Sequence, residues 1–310
     1  MKIAFVFPGQ GSQTVGMMDA WSEDAGVQAT LRDGDQALGE DLSGLIARGP
    51  AETLNLTTHT QPAMLLCSVA LYRAWRQAGG VEPALVAGHS LGEYSALVAA
   101  GALDLADAVR TVRVRAEAMQ SAVPVGEGAM AAILGLDDEA VRQACAQAAE
   151  GQVVEAVNYN APAQVVIAGH TAAVERACER ARAAGAKRAV TLPVSAPFHS
   201  RLLEPAAAVL ARTLAGVAVA SPAIPLINNV DVARPTDPDA IRDALVRQAW
   251  HPVRWVETIQ AMKQDGVTHI VECGPGKVLS GLVKRIDREI NTFNITDPAS
   301  LKETLEALGG

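Results

Sequence analysis

Gly88-His89-Ser90-Leu91-Gly92 is the segment of this chain best equipped for chemistry. A serine hydroxyl is a weak nucleophile. It needs a sharp turn that exposes it and a base beside it, and the small residues around Ser90 permit such a turn. Apolar residues precede the segment and an Ala-rich stretch follows, so G-x-S-x-G falls between an expected strand and an expected helix. The backbone N–H of Leu91 would then open the helix and face an oxyanion, helped by the helix dipole. The alternative is a plain strand-to-helix turn in which Ser90 only caps the helix.

A serine needs a base, and the chain has six histidines. His89 neighbours Ser90, so its ring is expected to point away from the same pocket and pack beneath the turn. His59, His170, His251 and His269 lie in polar or helix-edge contexts that suit surface or hydrogen-bonded roles. His199, in Pro197-Phe198-His199-Ser200, follows a short apolar strand where an irregular segment could return to face a pocket. The group that would orient it is open. Asp137, Asp138 and Glu155 lie between Ser90 and His199, the chain order of an α/β-hydrolase, yet all fall in a stretch that reads as a separate insert. A backbone carbonyl is the other choice, without the buried carboxylate that stabilises imidazolium.

Arg115 is a candidate of a different kind. At about 100° per residue it lies about 70° from the centre of its helix's apolar stripe, whereas Arg110 lies about 150° away on the solvent side. From the stripe edge it could hold a carboxylate with its two-pronged fork, or snorkel into water. Two glycine-rich loops are weaker signals. Glu272-Cys273-Gly274-Pro275-Gly276-Lys277 has Leu279 where G-x-G-x-x-G needs glycine, and Gly9-Gln10-Gly11 has Thr14 at that place. The exposed amides of the second loop still suit it as an oxyanion donor.

The elements that must position these groups alternate. Strands are expected at Ile3–Phe7, Ala84–Ala87, Ile224–Ile227, His269–Glu272 and Asn291–Ile295. Helices are expected over Gln61–Gln77, after the serine turn up to Ala100, and over Asp104–Ser121, which implies a mainly parallel α/β sheet. Between Pro124 and Leu192 the rhythm becomes strand Ala129–Leu134, helix Asp137–Glu150, strands Val153–Tyr159 and Gln164–Gly169 around an Asn160–Ala163 loop, helix Thr171–Ala184 and strand Arg188–Leu192. That is the ferredoxin-like βαββαβ order. Residues 1–123 and 195–310 are therefore expected to form a catalytic subdomain and 124–194 an inserted one.

Composition narrows the classes. With 310 residues, 49% hydrophobic and 19% charged, the chain is an ordinary globular protein and not a disordered one. A net charge of −8 and only 4% aromatics make nucleic acid an unlikely partner. Cys67, Cys145, Cys178 and Cys273 form no C-x-x-C pair and no two histidines have metal-ligand spacing, so no metal is expected. No apolar run has the ~18 residues of a membrane span and the N-terminus does not read as a signal peptide, so the expected location is cytoplasmic.

In their order and spacing the segments resemble the malonyl-CoA:acyl-carrier-protein transacylases, nearly end to end. They are Phe7-Pro-Gly-Gln10-Gly-Ser-Gln13, Gly88-His-Ser90-Leu-Gly-Glu93-Tyr94, Val114-Arg115 with Met119-Gln120, and Asn158-Tyr-Asn160-Ala-Pro162-Ala-Gln164-Val-Val-Ile-Ala-Gly169. Pro197-Phe198-His199-Ser200, Gln248 before Trp250, and Glu272-Cys-Gly274-Pro-Gly276 complete the set. One departure is Ala116 after Arg115, where the family often has glycine.

The resemblance implies an α/β-hydrolase-like large subdomain with a ferredoxin-like insert. It implies Ser90 as nucleophile, His199 as base, the Gln248 carbonyl as its orienting group, the Gln10 and Leu91 amides as oxyanion hole, and Arg115 as the clamp for the malonyl carboxylate. Met119, Asn158, Asn160 and Phe198 would line the pocket, with Phe198 favouring malonyl over methylmalonyl. No cofactor is implied beyond the substrates, malonyl-CoA and phosphopantetheinylated acyl carrier protein. Arg76, Lys187, Arg188, Lys277, Lys284, Arg285 and Arg288 could form a docking patch for an acidic carrier, or be scattered solvated charge. The competing functions are an acyltransferase of a polyketide assembly line, a hydrolase of acyl thioesters, and a non-catalytic carrier-binding scaffold.

Overall fold

The computed structural model describes residues 1–194 and 196–309; Ser195, where the second stretch of the catalytic subdomain is expected to begin, and Gly310 lie outside the described residues. β1 (Ile3–Phe7) is buried along its whole length. It leads through a loop and a single 3₁₀ turn into α1 (Ala25–Leu38), α2 (Leu42–Arg48), α3 (Ala51–Leu54) and α4 (Thr57–Gln77). β2 (Leu85–Gly88), α5 (Gly92–Ala99) and α6 (Leu105–Ser121) follow. Next come β3 (Gly128–Leu134), α7 (Asp138–Ala148), β4 (Val154–Ala161), β5 (Gln164–His170), α8 (Thr171–Ala183) and β6 (Arg188–Thr191). The chain closes with α9 (Glu204–Ala215), β7 (Leu226–Ile227), α10 (Pro238–Gln248), α11 (Trp255–Gln264), β8 (His269–Cys273), α12 (Val278–Ile286), β9 (Asn291–Ile295) and α13 (Pro298–Leu308).

Two sheets result. The large one is five-stranded, β7-β2-β1-β8-β9, and parallel throughout, with the long apolar β1 at its centre. Its central strands are apolar on both faces because helices cover both. On one side the Phe5 ring lies 5.7 Å from Tyr72 and 5.3 Å from Trp75, both on α4. Burying one such ring is worth about 1.5–3 kcal/mol. On the other side Ala4 and Val6 pack with Trp255, Ile259 and Leu282 of α11 and α12. The small sheet is antiparallel, β4-β5-β3-β6, with α7 and α8 on one face and a core of its own around Ile133, Val165 and Ile167. Its strands and helices have the expected ferredoxin-like order.

Helix starts follow their caps. Asp104, Asp137 and Asp237 each accept a backbone N–H from the first turn of α6, α7 and α10, and Asp297 forms a capping box on α13. Several boundaries differ from expectation. α4 starts at Thr57, not Gln61: Pro62 cannot donate, but Thr57, Thr60 and Gln61 ahead of it are buried and the helix runs through it. β4 continues through Asn160 and Ala161, so the loop shrinks to a two-residue turn in which Ala163 takes φ +57. β7 covers only Leu226 and Ile227, since Pro225 has no N–H for the ladder.

Candidate active site

Close backbone packing creates the site. A Cβ on Gly88 would lie 1.8 Å from the Gly92 carbonyl carbon, and one on Gly92 would lie 2.1 Å from the Phe7 oxygen. Only glycine allows the end of β2, the start of α5 and the loop after β1 to come this close. Gly9 meets the His89 carbonyl in the same way, at 2.6 Å. Ser90, between the two glycines, is forced to φ +53, where an L-residue is strained. Gln10 and Leu91 thus face one cavity, and their amides have no protein acceptor among the described residues. The glycine-rich 274–276 turn supports the first loop from behind, its Gly274 against Pro8 and its Gly276 against Ser12. It holds no phosphate geometry: Glu272 caps α12 by accepting from the Leu279 and Ser280 amides.

The Ser90 hydroxyl lies 2.7 Å from His199 Nε2. His199 Nδ1 lies 2.9 Å from the Gln248 backbone oxygen, which can only accept, so the proton sits on Nδ1 and the Nε2 lone pair faces the hydroxyl. His199 is itself held at φ +64 and is almost wholly buried. Burial first, and the Arg115 charge second, lower its pKa to about 3. The imidazole is therefore neutral at ordinary pH and free to take a proton. Asp137, Asp138 and Glu155 do not reach it: Asp137 caps α7, and Glu155 binds the Arg201 backbone N–H at 2.9 Å.

Arg115 does not snorkel. It is 1% exposed and donates to Gln61 Oε1 at 2.6 Å, Gln248 Oε1 at 3.0 Å and Ser90 Oγ at 3.2 Å. Among the described residues its Nε–H has no partner, and none of its bonds goes to a carboxylate. A cavity of about 220 Å³ opens in front of it, bounded by Gln10, Ser90, Leu91, Phe198 and His199. That is smaller than the ~300–1,000 Å³ of drug-sized sites and suits a short acyl group. Asn158 and Asn160 also line it, as does His89, whose ring packs against Trp255 at 5.4 Å and whose Nε2 is taken by Asn160 Oδ1 at 2.7 Å. Met119 does not line the cavity: it lies behind Gln61, which donates to its sulfur at 3.7 Å.

Three residues escaped the sequence reading. Asn229 Oδ1 accepts the Ser90 amide at 2.7 Å while its Nδ2 donates to the Gly88 carbonyl at 2.7 Å, clasping the turn from outside. Glu93 Oε2 accepts from the Asn229 amide at 2.9 Å and from Gln248 Nε2 at 3.0 Å. Gln61 supports Arg115. Glu93 stood within a recognised motif, but nothing local in the sequence marks Asn229 or Gln61, which act across 139 and 54 residues. Among the described residues no cluster of three or more His, Cys, Asp or Glu is placed to hold a metal, and no helix is long and apolar enough to cross a membrane.

A serine turn and a serine–imidazole pair at the end of a parallel sheet are groups that acyl transfer can use, and residues 4–296 match the acyl transferase domain family. The Escherichia coli K12 malonyl CoA-acyl carrier protein transacylase is 56% identical over 306 residues, covering 98% of this chain and 99% of that protein. The acyl-carrier-protein S-malonyltransferase of Burkholderia pseudomallei is 62% identical, with a TM-score of 0.97 over 99% of this chain and 100% of that one. A malonyl-transacylase solved in complex with a type II PKS acyl-carrier protein is 49% identical, with a TM-score of 0.98, covering 99% of this chain and all of the other. The chain belongs to the malonyl-CoA–acyl carrier protein transacylase family.

Proposed function

We propose that this chain moves a malonyl group from malonyl-CoA to the phosphopantetheine thiol of acyl carrier protein through a malonyl ester on Ser90, supplying extender units for fatty-acid synthesis in the cytoplasm. The observation that carries this reading is the single cavity shared by a serine–imidazole pair and a buried arginine that bonds no carboxylate among the described residues. His199 Nε2 takes the Ser90 proton as Oγ attacks the thioester carbonyl. The Gln10 and Leu91 amides receive the oxyanion, each such donor being worth about 10²–10³ in rate. The CoA thiolate leaves with the proton returned by His199, and the carrier thiol reverses the sequence. Arg115 binds the free carboxylate, and an unfilled buried guanidinium disfavours acetyl-CoA. Phe198, beside the base, limits branching next to the thioester. No cofactor has a role in these steps.

The carrier docking surface we assign to Lys187, Arg188, Lys277, Lys284, Arg285 and Arg288. All six are exposed and none has an ion-pair partner among the described residues, whereas Arg76 pairs with Glu82. Arg285 of α12 bonds Gln164, whose β3 neighbour Leu134 pairs with Arg188, so α12 and the small sheet adjoin at this basic rim. Intact-mass measurement after mixing with malonyl-CoA tests the proposal. A malonyl adduct absent from Ser90→Ala, and passed on to carrier protein, is expected. Free malonate without loaded carrier would indicate a hydrolase, and an unlabelled protein a scaffold.

A further inference from the structure

Arg115 is a buried cation among neutral partners: Gln61, Gln248, Ser90 and the Tyr94 ring, which its guanidinium overlies at 5.6 Å. A buried charge is tolerated only with a counter-charge close by. The carboxylate that acts on it is Glu93, 2% exposed on the first turn of α5. One side chain joins the two, since Gln248 accepts from Arg115 at 3.0 Å and donates to Glu93 at 3.0 Å.

Building on the reading of Arg115 as the carboxylate clamp, we infer that Glu93 is the positioning residue of that clamp and the group that takes up a proton when a substrate carboxylate binds. In the free enzyme Arg115 and ionised Glu93 make the buried site neutral. A substrate carboxylate adds a second anion. Transfer of one proton from solvent to Glu93 restores neutrality: guanidinium, substrate carboxylate and a neutral carboxylic acid. Both amide donors reach Oε2, which leaves Oε1 to carry that proton.

Burial already pushes the Glu93 carboxyl up to about 7, against the opposing bonds from Gln248 and Asn229 and the charge of Arg115. The other groups facing it are set so that they do not answer instead. Asp231 is held low by Arg247 at 2.8 Å, and Arg254, whose amide binds Asn229, pairs with Glu257. His89 and His199 are lowered by burial, and the Tyr94 phenol is raised to about 12.

The test is calorimetric binding of malonyl-CoA to the Ser90→Ala enzyme, in buffers of different ionisation enthalpy, between pH 6 and 8.5 (a range set around the Glu93 value of about 7). Acetyl-CoA, which lacks the carboxylate, is the comparator. The expected result above pH 7 is uptake approaching about one proton per malonyl-CoA and none with acetyl-CoA. The Kd should rise by up to about tenfold per pH unit at its steepest. Adding Glu93→Gln, which keeps an oxygen acceptor for both amides, should abolish the uptake and flatten the Kd. Without any change at Glu93, an infrared band of a protonated carboxyl should appear when malonyl-CoA binds. Tight malonyl-CoA binding with no uptake, or uptake that survives Glu93→Gln, overturns the inference and leaves the clamp standing. Failure of malonyl-CoA to bind at all removes both.

Discussion

Arg115 Nη2 donates to Ser90 Oγ over 3.2 Å, so the hydroxyl lies between a guanidinium and the His199 nitrogen at 2.7 Å. Because the guanidinium can only donate, the Ser90 oxygen accepts from it and its proton points to His199. The group read as the substrate clamp therefore also sets the direction of the first proton transfer.

Arg115→Ala should cut malonyl acylation by about 10- to 100-fold or more, the worth of a charge-assisted hydrogen bond or two. It should also raise acylation by acetyl-CoA, because the unfilled cation is gone and the second cause of the depressed His199 pKa goes with it. Competing malonyl-CoA and acetyl-CoA for the Ser90 adduct in one mixture measures the ratio, and an unchanged ratio refutes the clamp.

Gln248→Ala separates the two jobs of one residue. The backbone carbonyl that holds His199 Nδ1 remains, while the side chain that bonds Arg115, Glu93 and the Ser90 carbonyl is lost. The expected outcome is a KM for malonyl-CoA raised about tenfold or more with a smaller change in kcat, consistent with loss of binding over proton transfer. A variant that loses kcat alone would place the side chain in the chemistry.

The acid limb of kcat at saturating malonyl-CoA should lie well below the ordinary histidine value of 6.5, since burial holds His199 near 3. Single-turnover acylation should stay nearly flat from pH 8 to pH 5 (values that bracket the unshifted 6.5). A midpoint near 6.5 or above would contradict a base buried without a carboxylate partner.

Stability should also depend on Glu93, with a definite sign. Its folded pKa of about 7 lies above the ordinary 4.5, so the native state holds the extra proton between those values and stability falls as pH rises through them. His199 works the other way, costing stability as pH falls from 6.5 toward 3. Urea midpoints of the Glu93→Gln protein, compared with the parent at pH 4.5 and pH 8, isolate the first effect, where the difference should favour the variant only at the higher pH.

Gly92→Ala should destabilise the protein by about 1–3 kcal/mol and displace the serine turn, because its Cβ would press on the Phe7 carbonyl at 2.1 Å, a backbone atom that cannot swing aside. Thermal melting reads the first effect and the Ser90 mass adduct the second.

Local chemistry made much of this legible. The unbroken apolar run Ile3–Phe7 has no use except as a central strand, and G-x-S-x-G between strand and helix points at the turn by itself. The βαββαβ rhythm separates the second sheet because its periods change where the insert begins. Long-range contacts left no such trace. Asn229 sits in an ordinary polar loop and becomes significant only when the sheet brings it across to β2. Arg115, at the edge of a helical stripe, could face water or core until α4 and α10 supplied Gln61 and Gln248. Met119 shares the stripe with Arg115 and was expected in the pocket, yet one turn of helix is enough to put it behind the wall.

The antiparallel sheet supplies Met130, Asn158 and Val166 to the cavity, while Ser90 and Leu91 come from the turn after β2 and Arg115 from α6. The groups read as the nucleophile and the carboxylate clamp thus come from the catalytic subdomain, and the insert closes the cavity beside them. The insert keeps a core of its own around Ile133 and Val165 on one face, but its other face packs with the large core through Met130, Val157 and Val166, and Asn160 bonds His89 beside the serine. The limit on branching would therefore fall at a seam, with Phe198 from the catalytic stretch and Met130 and Val166 from the insert, while the reacting atoms stay where the serine turn holds them.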